Sequence, residues 1–236
     1  SSHIISVTNS FKKNLVSRRI PASRISVVRN GVDLSRFYPR EKDNILLKQL
    51  KLDDCFIAGY IGTHGVAHAL ETILDTAEIF QGNPNSRIKF LLLGSGAQKL
   101  KLIQYAAEKN LKNVIFLDSV HKSEVANYWS LLDVCIVHLK DTPLFRTVIP
   151  SKIFESMGMG IPIIHGVLGE SADIIKNESI GWVVQPEDPV QLAKIVLEAH
   201  NNKDLLRSMA KNCYTAAKKY KRSSMALRMM THLEHN

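Results

Sequence analysis

Six short, almost wholly apolar runs recur along this chain, each followed by a stretch with helical spacing. That alternation restricts the fold more than any other feature. The runs lie at 55–61, 88–93, 114–117, 134–139, 161–165 and 181–184. After the first, Leu70, Ile73, Leu74, Ala77 and Phe80 fall on one helical face; after the second, Leu100, Ile103 and Ala107 do the same. A helix is expected over 123–132 with Ser123 as its N-cap, and Pro150-Ser151-Lys152 should open another that runs to about 157. Further helices are expected at 169–177, from Asp188-Pro189 through 200, at 202–220 and at 223–235. Strands this apolar are buried on both faces, and strands separated by helices pair in parallel. The expected fold is therefore α/β, a doubly wound, Rossmann-like parallel six-stranded sheet with helices on both faces. Ahead of it, short strands at 4–7 and 24–29 flank a helix at 11–19. Asn30-Gly31 marks a turn, 33–39 a polar connection anchored by Phe37 and Tyr38, and 42–52 a short helix.

Composition narrows the partners. With 45% hydrophobic residues in 236, the chain can bury a full core. Its formal charge of +9 excludes an acidic solvating protein and points to an anionic partner. Aromatic residues make up only 7%, the basic residues are dispersed and no recognition motif appears, so no nucleic acid is expected. Cys55, Cys135 and Cys213 form no CxxC pair, so buried, reduced thiols are expected rather than a zinc knuckle or a disulfide framework. No apolar run is long enough for a membrane span, and no signal peptide is visible. The first residue is not Met, and a fragment of a longer protein is expected.

A doubly wound sheet binds ligands beyond the carboxyl ends of its strands, which directs attention to 62–65, 94–96, 118–121, 139–151 and 165–170. Gly62-Thr63-His64-Gly65 joins a strand to a helix, and its glycines let an anion approach the backbone; a plain tight turn is the other reading. Gly94-Ser95-Gly96 starts like a dinucleotide fingerprint, with Asp118 where a ribose-binding acid would sit, but Lys99 occupies the third glycine position. Along the helix opened by Pro150-Ser151-Lys152, Lys152 is placed to reach a phosphate and Glu155 to accept two hydrogen bonds from a ribose diol. An ordinary amphipathic helix with Glu155 in solvent is the alternative. His64 and His68 are four apart without a third ligand, so no metal is expected. His121 and His165 belong to ligand-side loops, and no GxSxG elbow is present.

These loops, in this order, resemble the nucleotide-sugar-binding half of a retaining, family-4 type glycosyltransferase with the GT-B fold. Supporting segments are Asn30-Gly31-Val32-Asp33 with Phe37, which is similar to the family's interdomain "NGVD…F" close, Leu131-Leu132-Asp133-Val134, and the stretch from Gly166 to Asp173. The combination of 59–70 with 142–155 most resembles the bacterial branch that builds O-antigen, lipopolysaccharide or capsule repeats from UDP-activated amino sugars, such as N-acetyl-fucosamine.

The resemblance implies roles. Glu155 matches the second glutamate of the family's E-x7-E motif and is expected to hold the ribose diol; Glu155 and Lys152 are the side chains expected to take part in the transfer. The first glutamate of the motif falls at Thr147, so groups of the 144–151 loop, including Arg146, Thr147, Ile149, Pro150 and Ser151, are expected to meet the donor sugar in its place. Thr63 and His68 stand near the positions where the family often has Arg and Lys, leaving Lys152, Arg146 and helix N-termini to neutralise the diphosphate. The uracil is expected near Ser119-Val120-His121, and the phosphates beside Gly62, Gly65, Gly94, Ser95 and Gly96, with Thr63 and His64 between.

Three parts are implied: 1–40 as interdomain segment and end of a missing N-terminal acceptor domain, 41–220 as the donor-binding domain, and 221–236 as a C-terminal helix. The expected partners are a UDP-sugar, that missing domain and a lipid-linked acceptor; the nucleotide sugar is a substrate and no cofactor is implied. The expected place is the cytoplasm, with peripheral association at the inner face of the membrane as a further expectation, for which Lys218-Lys219-Tyr220-Lys221-Arg222 offers a basic stretch. Isolated, the chain should bind donor without significant transfer. Two other readings share the fold or the ligand: a UDP-sugar 2-epimerase, which needs no acceptor, and a nucleotide-binding scaffold that has lost catalysis.

Overall fold

A computed structural model describes residues 3–81 and 87–234. At the start, β1 (Ile4–Ser6) and β2 (Ile25–Val27) pair in parallel, with Ile4 opposite Ile25, joined by α1 (Asn9–Ser17). Thr8 caps α1 by accepting the Phe11 N–H at 3.0 Å. The connection that follows buries Val32 and Phe37, then enters α2 (Asn44–Leu50), whose first amides are capped by Asp43. Tyr38 is not the anchor expected of it: it lies 44% exposed beneath the Arg40 guanidinium, 4.3 Å from the ring centroid.

The apolar runs then form β3 (Phe56–Ile61), β4 (Ile88–Leu93), β5 (Val114–Leu117), β6 (Val134–His138), β7 (Ile163–Gly166) and β8 (Gly181–Val183). All pair in parallel, in the spatial order β5-β4-β3-β6-β7-β8. The expected six-stranded, doubly wound sheet is present. The helices between are α3 (Glu71–Gln81), α4 (Lys99–Glu108), α5 (Val125–Ser130), α6 (Lys152–Met159), α7 (Glu170–Asn177) and α8 (Pro189–Asn201). Finally α9 (Lys203–Lys219) and α10 (Arg222–Glu234) close the chain; the expected final helical residue, His235, lies outside the described residues.

Side-chain alternation along β3 sorts the core into two layers. Ile57 and Ile61 face α5, α6, α7 and α9, where Trp129, Phe154, Ile175 and Ala217 are buried. Phe56, Ala58 and Tyr60 face α3, α4 and α8, against Ile73, Leu102 and Val196. Phe154 is 1% exposed and tilts against Tyr220 of α9's end at 5.0 Å, a burial worth roughly 1.5–3 kcal/mol.

Three further local expectations need correction. Leu100, Ile103 and Ala107 are not the packed face of α4: all three are exposed, and Leu102 and Ala106 are the residues it buries. Ser123 is no N-cap: its hydroxyl pairs with His121 Nδ1 at 2.7 Å, and α5 starts at Val125 without a side-chain cap. The fifth apolar run enters the sheet only at Ile163, because the Ile161 N–H closes α6 on Ser156 O at 3.0 Å, behind left-handed Gly160. Cys135 and Cys213 are buried and Cys55 is half-buried, all three as free thiols.

Candidate functional site

Strand order reverses between β3 and β6, so a crevice opens where their carboxyl ends diverge. On the β3 side, the loop of Gly62, Thr63, His64 and Gly65 is braced by its neighbour. Gly62 N donates to Leu93 O, His64 N to Ser95 O, and Gln98 N to His64 O, each at 2.9 Å. Gly94 permits this: at φ +149°, a Cβ there would stand 1.9 Å from Gly62 O. Gly94-Ser95-Gly96 thus acts first as a brace for the loop before it. His64 offers neither its amide nor its ring at the surface. The amide is taken, and the ring is buried between Tyr60 and Phe116, where burial first, and the Lys99 and Lys152 charges next, push its pKa down to about 4. Thr63, Ser95 and Gly96 remain exposed.

Asp118 is committed elsewhere. Lys99 Nζ donates to Gly94 O at 2.8 Å, to Leu117 O at 2.7 Å and to Asp118 Oδ1 at 2.7 Å, closing the ends of β4 and β5. Beside this knot, Ser95 Oγ lies 3.4 Å from Ser119 Oγ, so the 94–96 and 118–121 loops run side by side. Ser119 and His121 are exposed there and Val120 is half-buried.

Across the crevice, α6 aims its N-terminus at the rim, and Ser151 supplies no side-chain cap to its first amides. Lys152 reaches over the end of β3. Its ammonium sits 3.6 Å from the centroid of the Tyr60 ring and 2.8 Å from where a Cβ on Gly62 would stand. Tyr60 is held in place by its hydroxyl, which donates to Thr63 O at 2.7 Å. The ammonium is buried with no hydrogen-bond partner, and that burial pulls its pKa down to about 8. One turn on, Glu155 is half-buried, and no hydrogen bond or ion pair engages it among the described residues. Burial raises its pKa, opposed by the charges of Lys152, Arg222 and Arg36.

The 139–151 loop forms the remaining wall. Arg146 is tied to Asp141 by Nε at 2.9 Å and Nη2 at 3.0 Å, so its charge is already balanced. Thr147 turns its hydroxyl to Leu144 O at 2.6 Å within a single 3-10 turn. Val148, Ile149 and Pro150 are half-buried, and Ser151 is exposed beside the helix start. His165, expected near the ligand, is instead fully buried: its Nε2 meets Ser171 Oγ at 2.9 Å, and burial drives its pKa down to about 3.

Two residues of this region, Tyr60 and His138, were not read from the sequence as part of the site. Tyr60 appears there as one more apolar strand residue; its place two positions before Gly62 is the available signal. His68 reads in the sequence both as half of an incomplete metal pair and as standing near a position where the family often has a basic residue; among the described residues no three His, Cys, Asp or Glu gather to hold a metal. His138 ends β6, with its Nδ1 at 3.0 Å from His68 O and its Nε2 accepting the Glu187 N–H at 2.9 Å, and no local pattern announces that bridge.

The fold agrees with comparisons to known proteins. The probable glycosyltransferase WbjE of Pseudomonas aeruginosa is 28% identical over 142 residues, covering 59% of this chain and 34% of WbjE. The Escherichia coli UDP-Gal:alpha-D-GlcNAc-diphosphoundecaprenol alpha-1,3-galactosyltransferase is 25% identical over 194 residues, covering 80% of this chain and 48% of that enzyme. The chain thus spans between a third and a half of the length of these two relatives. Among solved structures, Anabaena Alr3699/HepE in complex with UDP superposes with a TM-score of 0.85 at 16% identity, over 100% of this chain and 64% of that one; its fold is the same. The family model of the glycosyl transferases group 1 matches residues 55–202, from the first strand of the large sheet to the end of α8, and the chain belongs to that family.

Proposed function

We propose that this chain is the donor-binding half of a retaining, family-4 type glycosyltransferase. It holds a UDP-sugar, an N-acetylated hexosamine or deoxyhexosamine, for transfer to a lipid-linked or saccharide acceptor in surface-polysaccharide assembly. The observation that carries this reading is the unpaired Lys152 ammonium, buried against Gly62 at the switch point. A buried, unpartnered cation is costly, and a diphosphate laid along the Gly62 loop supplies the missing countercharge. Lys152 thereby delivers from α6 the charge that Thr63 and His68 do not provide at the loop itself.

On this reading the diphosphate lies between Lys152 and the uncapped amides of α6, and Glu155 accepts from the ribose diol. As the bond to the anomeric carbon breaks, charge develops on the leaving phosphate, and these preorganised donors stabilise it. The acceptor hydroxyl attacks from the face the leaving group vacates, forming the new C–O bond as its proton passes to the departing phosphate oxygen. The base rests by Ser119, Val120 and His121, and the sugar meets the loop from Arg146 to Ser151. The reading requires no resident cofactor. Residues 1–40 are read as the interdomain segment and end of an acceptor half, and 221–236 as a C-terminal helix; Val32 pairs with Lys221, and His232 Nδ1 meets Ser26 Oγ at 3.2 Å, joining both segments. By its name, the E. coli relative uses UDP-galactose and a diphosphoundecaprenol-linked sugar, which supports a UDP donor and a lipid-linked acceptor here.

Calorimetry with UDP, GDP, ADP and NAD tests the reading. UDP should bind tightest, and Glu155→Ala should weaken it by about 10- to 100-fold, the loss of one or two charge-assisted hydrogen bonds. Equal affinities of wild type and Glu155→Ala would remove Glu155 from the site. Efficient sugar transfer by this chain alone would overturn the half-enzyme reading.

A further inference from the structure

The 139–151 loop is held in place by a distant stretch of chain, the connection between β8 and α8. Asp141, at the base of the loop, gathers the contacts. Its N–H donates to Glu187 Oε2 at 2.8 Å, and its carboxylate accepts from Arg146 Nε at 2.9 Å, Arg146 Nη2 at 3.0 Å and Gln185 Nε2 at 3.3 Å. The backbone of Glu187 is pinned in turn. Its N–H donates to His138 Nε2 at 2.9 Å, and His138 Nδ1 lies 3.0 Å from His68 O. An amide can only donate and a carbonyl only accept, so these two bonds fix the His138 ring as the neutral tautomer with its proton on Nδ1. The arrangement is built at a cost. Glu187 sits at φ +59°, a left-handed conformation that residues with a side chain adopt against steric resistance. The His138 ring presses on the end of β7, where a Cβ on Gly166 would stand 2.4 Å from its Cδ2. At the other end of the segment, a Cβ on Gly169 would stand 2.0 Å from Arg146 O. The 141–146 segment is thus seated at both ends.

We propose that Glu187, seated by His138, is a positioning residue for the choice of donor sugar: it sets the stance of the Asp141–Arg146 segment and, through it, which sugar the 144–151 wall accepts. The proposal rests on the UDP-sugar reading and adds two residues outside the set assigned to the donor. The groups assigned to diphosphate and ribose, Lys152, Glu155 and the first amides of α6, are carried by a helix that Glu187 does not touch. The wall depends on Glu187 more directly. The Asp141 carboxylate aims the Arg146 fork, and the Glu187 carboxylate holds the Asp141 backbone from which that fork is aimed. Removing the Glu187 carboxylate frees one end of the segment while Gly169 still seats the other, so the segment swings and the sheet beneath it stays folded. A sugar is told from its epimers by hydroxyls that meet fixed partners. A wall that swings therefore loses discrimination before it loses binding.

The test is calorimetry on this chain with UDP, UDP-glucose, UDP-galactose and UDP-N-acetylglucosamine. The wild type should rank the three sugar nucleotides. Glu187→Ala should change the UDP affinity by less than about twofold and narrow the spread among the three by about tenfold. Glu187→Gln keeps an acceptor for the Asp141 amide and should keep the wild-type ranking. His138→Phe removes the acceptor for the Glu187 amide and should narrow the spread as well; thermal melts confirm that each variant folds. An unchanged ranking in folded Glu187→Ala would overturn the proposal and leave the nucleotide reading standing. So would an equal loss for UDP and all three sugar nucleotides, which would make Glu187 merely structural, and so would a wild type that binds UDP without distinguishing the sugars. Failure of the folded wild type to bind any of the four would overturn the nucleotide reading, and the proposal with it.

Discussion

The carboxylate of Glu170 lies 2.9 Å from the guanidinium of Arg29 and also receives the start of α1. Asn9 N donates to it at 2.8 Å, Asn9 Nδ2 at 2.9 Å and Ser10 N at 3.3 Å. One acid at the head of α7 therefore neutralises an arginine and caps a helix N-terminus from a distant part of the chain. Glu170→Ala should strand these donors and cost about 1–3 kcal/mol. Urea unfolding measures the cost, and hydrogen exchange should quicken at Asn9 and Ser10 ahead of the large sheet. Unchanged exchange at those two amides would show that the contact holds nothing together.

Lys152 is expected to lower stability in the free chain. Its folded pKa, about 8, lies below the ordinary 10.5, so the unfolded chain binds more protons between those values. Stability should rise as pH increases through that window and be lowest, for this group, below pH 8. Lys152→Met should raise the melting temperature at neutral pH, abolish that rise between 8 and 10.5, and weaken UDP at least tenfold. A Met variant that melts lower than wild type at neutral pH would contradict the picture of an uncompensated buried charge.

Glu155 gives the opposite pH dependence. Its pKa is raised in the folded state, so its contribution to stability declines as pH climbs from the ordinary carboxylate value to the folded one. Glu155→Gln should melt higher than wild type at neutral pH, and the difference should vanish in acid. The same variant should lose UDP affinity, which separates a binding acid from a solvated one.

Gly94→Ala probes the brace between the first two loops. A Cβ 1.9 Å from Gly62 O, at φ +149°, forces the backbone of both loops apart. The expected cost is about 2 kcal/mol or more, with UDP binding lost before the sheet unfolds. A variant with wild-type affinity would place the ligand away from Gly62.

The sheet was legible because its strands carry the signal themselves. Ile88–Leu93 and Val114–Leu117 have the bounds that their apolar runs announce, and Asp188 caps α8 through the Gln191 N–H as its Asp-Pro start implies. The site was legible only where loop and ligand chemistry are local. Lys152 and Glu155 stand out at a proline-led helix start, and the structure keeps them near the crevice. Thr63, Ser119 and Ser151 are at its exposed edge, and Gly65 is half-buried beside them. What the pattern does not carry is the use of each polar group across the fold. Arg146 looks like a free cation until Asp141 is seen beside it, His165 looks like a loop residue until it is found inside, and Tyr60 looks like packing until Lys152 lies on its face. Such pairings depend on which strands become neighbours, and periodicity is silent about that.

The placement of Lys152 over Gly62 also bears on how the domain assembles. The two residues meet only once β6 has docked on β3, through the pairings Ala58 with Val134 and Gly59 with Cys135. On the donor-binding reading, neither half of the sheet alone brings Lys152 to Gly62, so a truncated chain that stops before β6 should fail to bind UDP. Ligand added during refolding should accelerate nothing until that long-range union is made, and afterwards should act as a clasp across the seam.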